Sequence, residues 1–261
     1  MNSCVDKGVN IEHSTSNVEL RTPRVVFEDE YLLVVDKPGH MVCHSASRPE
    51  HPTLVGWVRE HGVTVPRLLN RLDRETSGLV VIAKTERAAK NLSNSLQCGE
   101  ITKQYVAICW GEFKEERGVV DKPIGLAGNS PVYTKRGVDE TSGRSSMTEF
   151  VVETKLRGFT VVRLTPKTGR THQLRVHTAS IGHPIVGDKI YGPDDKWYLE
   201  FIKNGVTGEM LKELLLSRQA LHAGFVRLRH PRTQEFQEFR APLPEDMVEF
   251  VSRVEDGRGC T

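Results

Sequence analysis

Asp73 is the first candidate for a reactive side chain in this sequence. It lies within residues 70–77, which are dense in charged and hydrogen-bonding side chains, and Gly78 separates them from an apolar run at residues 79–83. That run is short and rich in β-branched residues, which predicts a buried strand. A carboxylate at the mouth of a buried strand can be held ionised and aimed at a reacting atom, as a nucleophile or a base. The alternative is an Asx turn that leads into the strand and is tied by a structural Arg–Asp pair.

The second candidate group follows a basic, turn-forming loop at residues 166–170 and lies in a predicted helix at residues 171–181. On a helix, Thr171 and Arg175 share one face, and His172 nearly shares it. An arginine in the first turns of a helix beneath a sheet can pair with a buried carboxylate through two parallel hydrogen bonds. Such pairing favours the ionised carboxylate and fixes its orientation. Because burying both charges is costly, the pair often indicates function rather than stability.

Tyr105 is the third candidate and lies in a β-rich segment at residues 101–110. In a strand it shares one face with Lys103. A tyrosine beside a cationic side chain can stack on a nucleobase or accept a proton. The alternative is a half-buried aromatic side chain that only packs within the sheet.

Other kinds of active site are poorly supported. His172, His177 and His183 invite a metal ion, but no carboxylate or cysteine lies among them and their surroundings are rich in lysine and arginine. We therefore expect no metal. Ser77 lacks the Gly-x-Ser-x-Gly pattern of many serine hydrolases, and the sequence contains no Walker motif or dinucleotide-binding glycine motif.

The charge of the chain is clustered although its total is small. The formal net charge is +2, with 38% hydrophobic and 27% charged residues, as in an ordinary soluble globular protein. Residues 155–187, however, carry six lysines and arginines and no Asp or Glu. Such a run suits a polyphosphate partner, and the alternative is a solvated basic face.

The cellular setting is indicated by what the sequence lacks. The five cysteines are scattered without a paired spacing, no stretch has the length and hydropathy of a membrane span, and the N-terminus has no apolar signal-peptide core. We therefore expect a cytoplasmic protein that does not enter a membrane.

The predicted fold is α+β, with a mixed, mostly antiparallel central sheet flanked by helices, because strands and helices intermix without a regular β-α-β alternation. One domain is predicted at residues 23–255, with a helical insertion at about 194–217, between a flexible N-terminal tail (1–22) and a C-terminal tail (256–261). The predicted strands lie at residues 24–27, 31–35, 79–83, 101–110, 147–153, 159–164 and 220–228. The predicted helices lie between Thr53 and Gly62 and at residues 86–96, 171–181 and 247–254.

The segment at residues 70–79, Asn-Arg-Leu-Asp-Arg-Glu-Thr-Ser-Gly-Leu, resembles the signature of the RluA-type pseudouridine synthases. The resemblance continues in chain order from about residue 25 to residue 247, and four or more ordered motifs are far more specific than one. The other matching segments are residues 33–39, 103–105, 169–177, 182–188, 221–223 and 241–244.

The resemblance implies a role for the candidate residues. Asp73 matches the catalytic aspartate of the family, and Arg175 matches the basic residue that pairs with it. Tyr105 matches the tyrosine that stacks on the target base and is implicated in the final deprotonation. Leu174 is expected to help line the pocket, and Arg71 matches a position close to the RNA duplex.

Three further residues of these motifs concern the RNA. Arg170 and His172, from the same motif as Arg175, are expected to bind the substrate. Asn70 stands where the family commonly has His, a departure that touches RNA contact or local hydrogen bonding more than the chemistry.

The resemblance therefore implies an RNA pseudouridine synthase, an isomerase acting on uridine in ribosomal or transfer RNA. The reaction cleaves the bond from nitrogen 1 to the sugar, rotates the uracil and rejoins it through carbon 5, so no cofactor is expected. We expect a monomer. A non-catalytic RNA-binding protein on the same scaffold is the alternative, and a glycoside hydrolase would normally need a second carboxylate. The target uridine, and whether Asp73 attacks the base or the sugar, stay open.

Overall fold

A computed structural model describes residues 22–44, 52–128 and 130–257 of the chain. The predicted N-terminal tail at 1–22 and C-terminal tail at 256–261 therefore lie largely outside the described residues. Within the described part, one ten-stranded sheet and a small two-stranded sheet are combined with helices, and all strand pairs except one are antiparallel. The predicted α+β class with a mixed, mostly antiparallel sheet is confirmed.

The strands of the large sheet follow the order β1-β2-β4-β11-β5-β10-β9-β6, with β3 paired to β4 and β12 paired to β11, while β7 and β8 form the small sheet. Their bounds are β1 Arg24–Glu28, β2 Leu32–Lys37, β3 Arg67–Leu68, β4 Ser77–Ala83, β5 Thr102–Trp110, β6 Arg117–Asp121, β7 Ile124–Leu126, β8 Arg136–Val138, β9 Met147–Leu156, β10 Phe159–Pro166, β11 Leu221–Arg229 and β12 Phe236–Arg240. The seven predicted strands are all present, whereas the other five, β3, β6, β7, β8 and β12, have no counterpart among them.

The described helices are α1 Leu54–Glu60, α2 Glu86–Gln97, α3 Gln173–Ser180, α4 Lys196–Asn204, α5 Gly208–Leu214 and α6 Glu245–Glu255. Thr53 and Thr85 cap α1 and α2 by accepting hydrogen bonds from backbone N–H groups of their first turns. The predicted helical insertion at about 194–217 consists of two short helices, α4 and α5.

Helix α3 begins two residues later than predicted, and this difference concerns the site. The prediction placed its start at Thr171, but His172 has a φ angle of 57°, in the left-handed region. A residue in that conformation cannot belong to a right-handed helix, although histidine adopts it more readily than most residues. His172 therefore stands at the N-cap, and its side chain is directed differently from that of a helical residue.

Strand β4 is the most buried strand of the sheet, which explains the unbroken apolar run at residues 79–83. Val80 and Ile82 pack in one apolar cluster with residues of α1 and α6, while Leu79 and Val81 pack in a second cluster with α2. Because both faces are covered, alternation of polar and apolar residues is absent. The buried strand predicted after Asp73 is confirmed.

Gly78 allows β4 to approach β11 in the parallel pair. A Cβ atom at this position would lie 2.4 Å from the carbonyl oxygen of Ala223, and the φ angle is +110°. Only glycine meets both conditions without strain. The close approach joins the strand that follows Asp73 to the centre of the sheet.

Candidate active site

A cleft of about 590 Å³ lies at the N-terminal end of α3, and all seven residues predicted for the site line it. These residues are Arg71, Asp73, Tyr105, Arg170, His172, Leu174 and Arg175. They come from three parts of the chain that are distant in sequence: the segment between β3 and β4, strand β5, and the first turn of α3 with the residues just before it. The sheet therefore brings together the three groups that the sequence marked separately.

Asp73 lies in the turn that connects β3 to β4, and its side chain is 32% exposed on the cleft. Its backbone carbonyl accepts a hydrogen bond from the N–H of Thr76, at 3.1 Å, which closes the turn. The turn is thus closed by the backbone of Asp73 and not by its side chain, as it would be in the Asx turn of the alternative interpretation, and the carboxylate faces the open cleft.

Asn70 ties the segment before Asp73 to the buried strand. Its Nδ2 donates to the carbonyl of Leu79 at 3.0 Å, and its Oδ1 accepts from the N–H of Val81 at 3.1 Å. The side chain thus continues the hydrogen-bonding pattern of the sheet beyond β3. Of the two possibilities considered for this departure from the family pattern, local hydrogen bonding is the one that the structure shows.

The segment after Asp73 is held from behind by buried cations. Lys37 is fully buried and donates to the carbonyl of Arg74 at 3.4 Å, and burial lowers the pKa of its ammonium group to about 8. Lys189 forms an ion pair of 2.6 Å with the carboxylate of Glu75. Arg218 donates to the backbone carbonyl of Glu75 at 3.2 Å. These contacts fix the backbone on which Asp73 stands.

Arg175 bridges two carboxylates. Its Nη1 donates to Oδ2 of Asp73 at 3.0 Å, while Nε and Nη2 donate to the two oxygens of Asp188 at 2.6 and 2.7 Å. Burial acts to lower the pKa of the guanidinium, but the charge and hydrogen bonds of Asp188, with a smaller contribution from Asp73, raise that pKa overall. Arg175 is therefore a permanent cation whose orientation is fixed by Asp188 and which is aimed at Asp73.

Asp188 and Tyr191 are parts of the site that the sequence reasoning missed. Asp188 is completely buried, and although burial acts to raise its pKa, Arg175 and the backbone N–H groups of Ile190 and Tyr191 lower it overall. The ring of Tyr191 packs against the guanidinium of Arg175, with 4.9 Å from Cζ to the ring centroid. One signal was available in the sequence: Asp188 is the first acidic residue after the run at 155–187 that has none, and a buried arginine needs a carboxylate.

Tyr105 lies on β5, opposite Leu164 of β10, and is 9% exposed at the floor of the cleft. Burial raises the pKa of its phenol well above the usual range, and the negative charge of Asp73 adds to that shift. The phenol is therefore protonated at neutral pH, and its ring is available as an apolar surface beside the carboxylate.

His172 lies between Asp73 and Tyr191. Its Nδ1 is 2.8 Å from the hydroxyl oxygen of Tyr191, and its Nε2 is 3.9 Å from Oδ2 of Asp73. Burial, and next the positive charge of Arg175, lower the pKa of the imidazole to about 4 despite the opposing effect of Asp73. The ring is therefore neutral at physiological pH.

The three other predicted site residues differ in their surroundings. Leu174 is buried and supplies apolar surface to the cleft, as expected from the resemblance. Arg170 is half-buried, and its Nε donates to the carbonyl of Ser145 at 3.0 Å. Arg71 is exposed at the rim of the cleft. The guanidinium of Arg71 is thus accessible to a large ligand in the cleft.

The basic run at residues 155–187 is not a single cationic surface. Arg175 belongs to the buried site, and three of the other cations form ion pairs with glutamates of β9 or of the residues just before β6. These pairs are Lys155–Glu116 at 2.6 Å, Arg163–Glu153 at 3.5 Å and Lys167–Glu149 at 2.8 Å. The interpretation of the whole run as a polyphosphate-binding patch therefore needs correction, because the sheet supplies counter-charges that a linear sequence cannot reveal.

The described residues contain no cluster of three or more His, Cys, Asp or Glu side chains that could hold a metal ion. His177 contacts the hydroxyl of Thr148 at 2.8 Å, and His183 contacts the backbone carbonyl of Trp110 at 2.9 Å, so these two histidines have separate roles in packing. No helix in the described part of the chain has the length and hydropathy needed to span a membrane.

A comparison with family models matches residues 31–180 to the RNA pseudouridylate synthase family. This chain belongs to that family. It is an RNA pseudouridine synthase, an isomerase, and the assignment to the RluA type is supported by curated relatives. The chain is 36% identical over 239 residues to an uncharacterized RNA pseudouridine synthase, YlyB, of Bacillus subtilis, covering 88% of this chain and 72% of the relative. It is also 36% identical over 239 residues to the ribosomal large subunit pseudouridine synthase D of Pseudomonas aeruginosa, covering 90% and 72% of the two chains.

Solved structures agree on the fold of this pseudouridine synthase. Human RNA pseudouridylate synthase domain containing 1 superposes with a TM-score of 0.66 at 25% identity, covering 92% of this chain and 97% of the human one. Human RNA pseudouridylate synthase domain containing 4 gives a TM-score of 0.69 at 23% identity, covering 89% and 93%. The predicted pseudouridine synthase fold is confirmed.

Proposed function

We propose that this enzyme converts a uridine of large-subunit ribosomal RNA into pseudouridine, with Asp73 as the catalytic carboxylate. The observation that carries the proposal is the hydrogen bond of 3.0 Å from Arg175 to Asp73 in an open cleft, with Arg175 itself fixed by the buried Asp188. The RNA class is inferred from relatives, several of which carry the name ribosomal large subunit pseudouridine synthase D.

The reaction is an isomerisation within one nucleoside, and its main requirement is a carboxylate at a fixed position. The bond between nitrogen 1 of uracil and carbon 1′ of ribose breaks, the uracil turns, carbon 5 bonds to carbon 1′, and the proton on carbon 5 moves to nitrogen 1 by way of solvent or a side chain. Atoms and electrons balance within the nucleoside. Asp73 can serve as a nucleophile or stabilise positive charge at carbon 1′, and both roles need an ionised carboxylate at a fixed position.

Arg175 suits both roles of Asp73. A buried guanidinium beside a carboxylate favours its ionised form through charge and a hydrogen bond. Because two of its nitrogens are engaged by Asp188, Arg175 cannot rotate away while the substrate binds or the uracil turns. Preorganisation of this kind avoids a reorganisation cost at the moment of reaction.

Tyr105 is better suited to stack on the uracil than to act as a general base. A uridine that leaves its helical stack loses a few kcal/mol, and an aromatic ring beside the carboxylate offsets part of that loss by stacking. Removal of the proton on carbon 5 by Tyr105 would require an ionised phenol, which burial and the charge of Asp73 disfavour in the free enzyme.

RNA binding is assigned to cationic residues at the rim of the cleft. Arg71 and Arg74 are exposed on the segment that carries Asp73, and Arg170, from the segment before α3, lines the same cleft. Cations at these positions can contact phosphates on both sides of a flipped nucleotide. Because three of the six cations in the basic run at 155–187 are paired with glutamates and Arg175 is buried, we expect only a few phosphate contacts from this run.

All residues of the proposed site come from one chain, so we expect a monomer, acting in the cytoplasm. Light scattering of the purified enzyme, alone and with bound RNA, measures the number of chains in the complex. A mass of one chain per RNA is expected, and a dimer at catalytic concentrations would contradict this part of the proposal.

Pseudouridine mapping in total RNA from cells with and without the gene tests the substrate class. Loss of one or more pseudouridines from large-subunit ribosomal RNA is expected, and purified enzyme should restore them to RNA from the deletion cells. Loss confined to transfer RNA would overturn the RNA class but keep the enzyme activity. If no pseudouridine in any RNA changed, the proposed function would be wrong.

A further inference from the structure

The hydroxyl group of Tyr191 contacts both strand β8 and His172. The backbone N–H of Arg136, on β8, donates to the hydroxyl oxygen at 2.8 Å, and Nδ1 of His172 lies 2.8 Å from the same oxygen. Burial raises the pKa of the phenol, so Tyr191 keeps its proton at neutral pH. The hydroxyl oxygen therefore accepts one hydrogen bond, from the N–H of Arg136, and the hydroxyl proton is free to be donated to another group.

The direction of the bond between Tyr191 and His172 follows from counting protons. The N–H of Arg136 can only donate, so the hydroxyl oxygen is the acceptor in that contact. The hydroxyl proton then needs an acceptor, and Nδ1 of His172 is the one that the described residues place within hydrogen-bond distance. Nδ1 accepts, and in a neutral imidazole the ring proton must then lie on Nε2.

The Nε2 atom of His172 is directed toward the reacting carboxylate. It lies 3.9 Å from Oδ2 of Asp73, which is attractive for a proton on Nε2 but too long for a direct hydrogen bond. Both side chains line the same cleft. A uridine bound next to Asp73 can therefore place an oxygen atom where it accepts a hydrogen bond from Nε2 of His172.

We propose that Tyr191 is a positioning residue that holds His172 as the Nε2–H tautomer, so that His172 donates a hydrogen bond to an oxygen of the uridine bound beside Asp73. This inference rests on the proposed function for the identity of the ligand, but not for the tautomer. It assigns to His172 a specific contact, where the sequence indicated only a place in the substrate-binding group.

Two further observations agree with this assignment. His172 has a left-handed backbone, with φ of 57°, a conformation that costs free energy for a non-glycine residue and is found where the surroundings over-determine it. The ring of Tyr191 also packs on Arg175, so a single side chain orients both of the groups that face Asp73.

The tautomer can be measured without substrate by nitrogen NMR of the imidazole of His172, assigned with His172→Gln. In the wild-type enzyme we expect a protonated Nε2 and an unprotonated Nδ1. A protonated and an unprotonated ring nitrogen differ widely in chemical shift, so the spectrum identifies the tautomer. In Tyr191→Phe, which keeps the ring over Arg175 but lacks the hydroxyl, we expect a mixture of tautomers. Wild-type enzyme with its proton on Nδ1 would overturn the proposal, whatever the enzyme does to RNA.

The consequence for the reaction is tested by a double-mutant cycle. Tyr191→Phe should lower the single-turnover rate constant by about 10-fold while RNA affinity changes by less than about twofold. In His172→Gln, the amide can offer an N–H near the position of Nε2 without any tautomer, so adding Tyr191→Phe should lower the rate by less than about twofold more. Equal effects of Tyr191→Phe in both backgrounds would overturn the proposal.

Tyr198→Phe is the matched control. Tyr198 packs in the same apolar cluster as Tyr191, on helix α4, and its replacement removes a tyrosine hydroxyl from the same neighbourhood. Both the tautomer of His172 and the rate constant should be unchanged in this variant. If Tyr198→Phe had the same effects as Tyr191→Phe, a general loss of packing would explain them and the proposal would fail.

Discussion

Asp188 holds the guanidinium of Arg175 through two hydrogen bonds of 2.6 and 2.7 Å, and the remaining nitrogen of that guanidinium donates to Asp73 at 3.0 Å. The exposed carboxylate is therefore positioned by a buried one, with the arginine between them. Among the described residues, the side chain of Asp73 makes no other hydrogen bond, so the geometry of this bridge sets the direction in which the proposed catalytic carboxylate points.

Arg175→Lys should abolish most activity although it keeps the positive charge. A lysine has a single terminal nitrogen and cannot reproduce a planar fork that reaches two carboxylates. We expect the single-turnover rate constant to fall about 100-fold, and the free energy of unfolding to fall by about 2 kcal/mol, because charged hydrogen bonds to Asp188 are lost. Single-turnover kinetics and urea denaturation measure the two effects. Arg163→Lys, in an exposed ion pair with Glu153, is the control and should change neither quantity appreciably.

Asn70→Ala should reduce stability with little effect on RNA affinity. The substitution removes both hydrogen bonds from the side chain of Asn70 to the backbone of β4. We expect a loss of about 1–3 kcal/mol in the free energy of unfolding, measured by urea denaturation, and an unchanged dissociation constant for RNA. Asn204→Ala, which removes an exposed bond to Glu200, should cost about 0.5 kcal/mol or less. A weaker affinity for RNA in stable Asn70→Ala would show that Asn70 contacts the RNA instead.

Gly78→Ala should disrupt the parallel pair of β4 and β11. The added Cβ would lie 2.4 Å from the carbonyl oxygen and 2.6 Å from the nitrogen of Ala223, both of them backbone atoms that cannot move aside cheaply. We expect a loss of about 3 kcal/mol or more, seen as a lower urea midpoint or a failure to fold. Gly158→Ala has a similar positive φ of +79° but no atom within 4 Å of the new Cβ, so it should cost only about 1 kcal/mol. Equal costs at the two positions would be evidence against the close approach.

The stability of the enzyme should fall as the pH drops from about 6.5 to 4. Burial lowers the pKa of His40 and of His172 to about 4, and it also lowers the pKa values of His177 and His222. Between pH 6.5 and 4 the unfolded chain binds protons that the folded chain does not, so the free energy of unfolding decreases as the pH falls, by up to about 1.4 kcal/mol per pH unit for each histidine. Urea denaturation at several pH values measures the slope. His40→Asn, which suits the left-handed backbone there, should make the slope shallower, and an unchanged slope would contradict the burial of a neutral His40.

The sequence identified the elements that are defined by local pattern. The apolar run at 79–83 predicted β4, and the segments at 147–153 and 159–164 predicted β9 and β10, because the signals of a strand lie within a few residues. It also predicted that an arginine at the start of a helix could pair with a carboxylate through two parallel hydrogen bonds. Arg175 does contact Asp73, but through one hydrogen bond, and its two parallel hydrogen bonds go to Asp188.

What the sequence could not supply depends on contacts between distant residues. Asp188 and Tyr191 gain their roles only when the fold brings them against Arg175. Asp188 carries one sequence signal, as the first acidic residue after the run at 155–187, whereas nothing in the sequence marks Tyr191 as a partner. The left-handed conformation of His172 shifted the start of α3, since helical spacing alone favours a start at 171. The basic run suggested an open cationic patch because the glutamates that neutralise it belong to β9 and to the region before β6.

The activity of Asp73→Asn tests the central claim most directly. RNA from cells that lack the gene is treated with purified wild-type or variant enzyme, and pseudouridine is measured at the uridines that mapping identifies. Asn keeps the shape of the side chain and an oxygen that can accept from Arg175, so the variant should stay folded and bind RNA with an affinity within about twofold of wild type. We predict no pseudouridine formation by this folded, RNA-binding variant. Retention of most of the wild-type activity would contradict the assignment of Asp73 as the catalytic carboxylate.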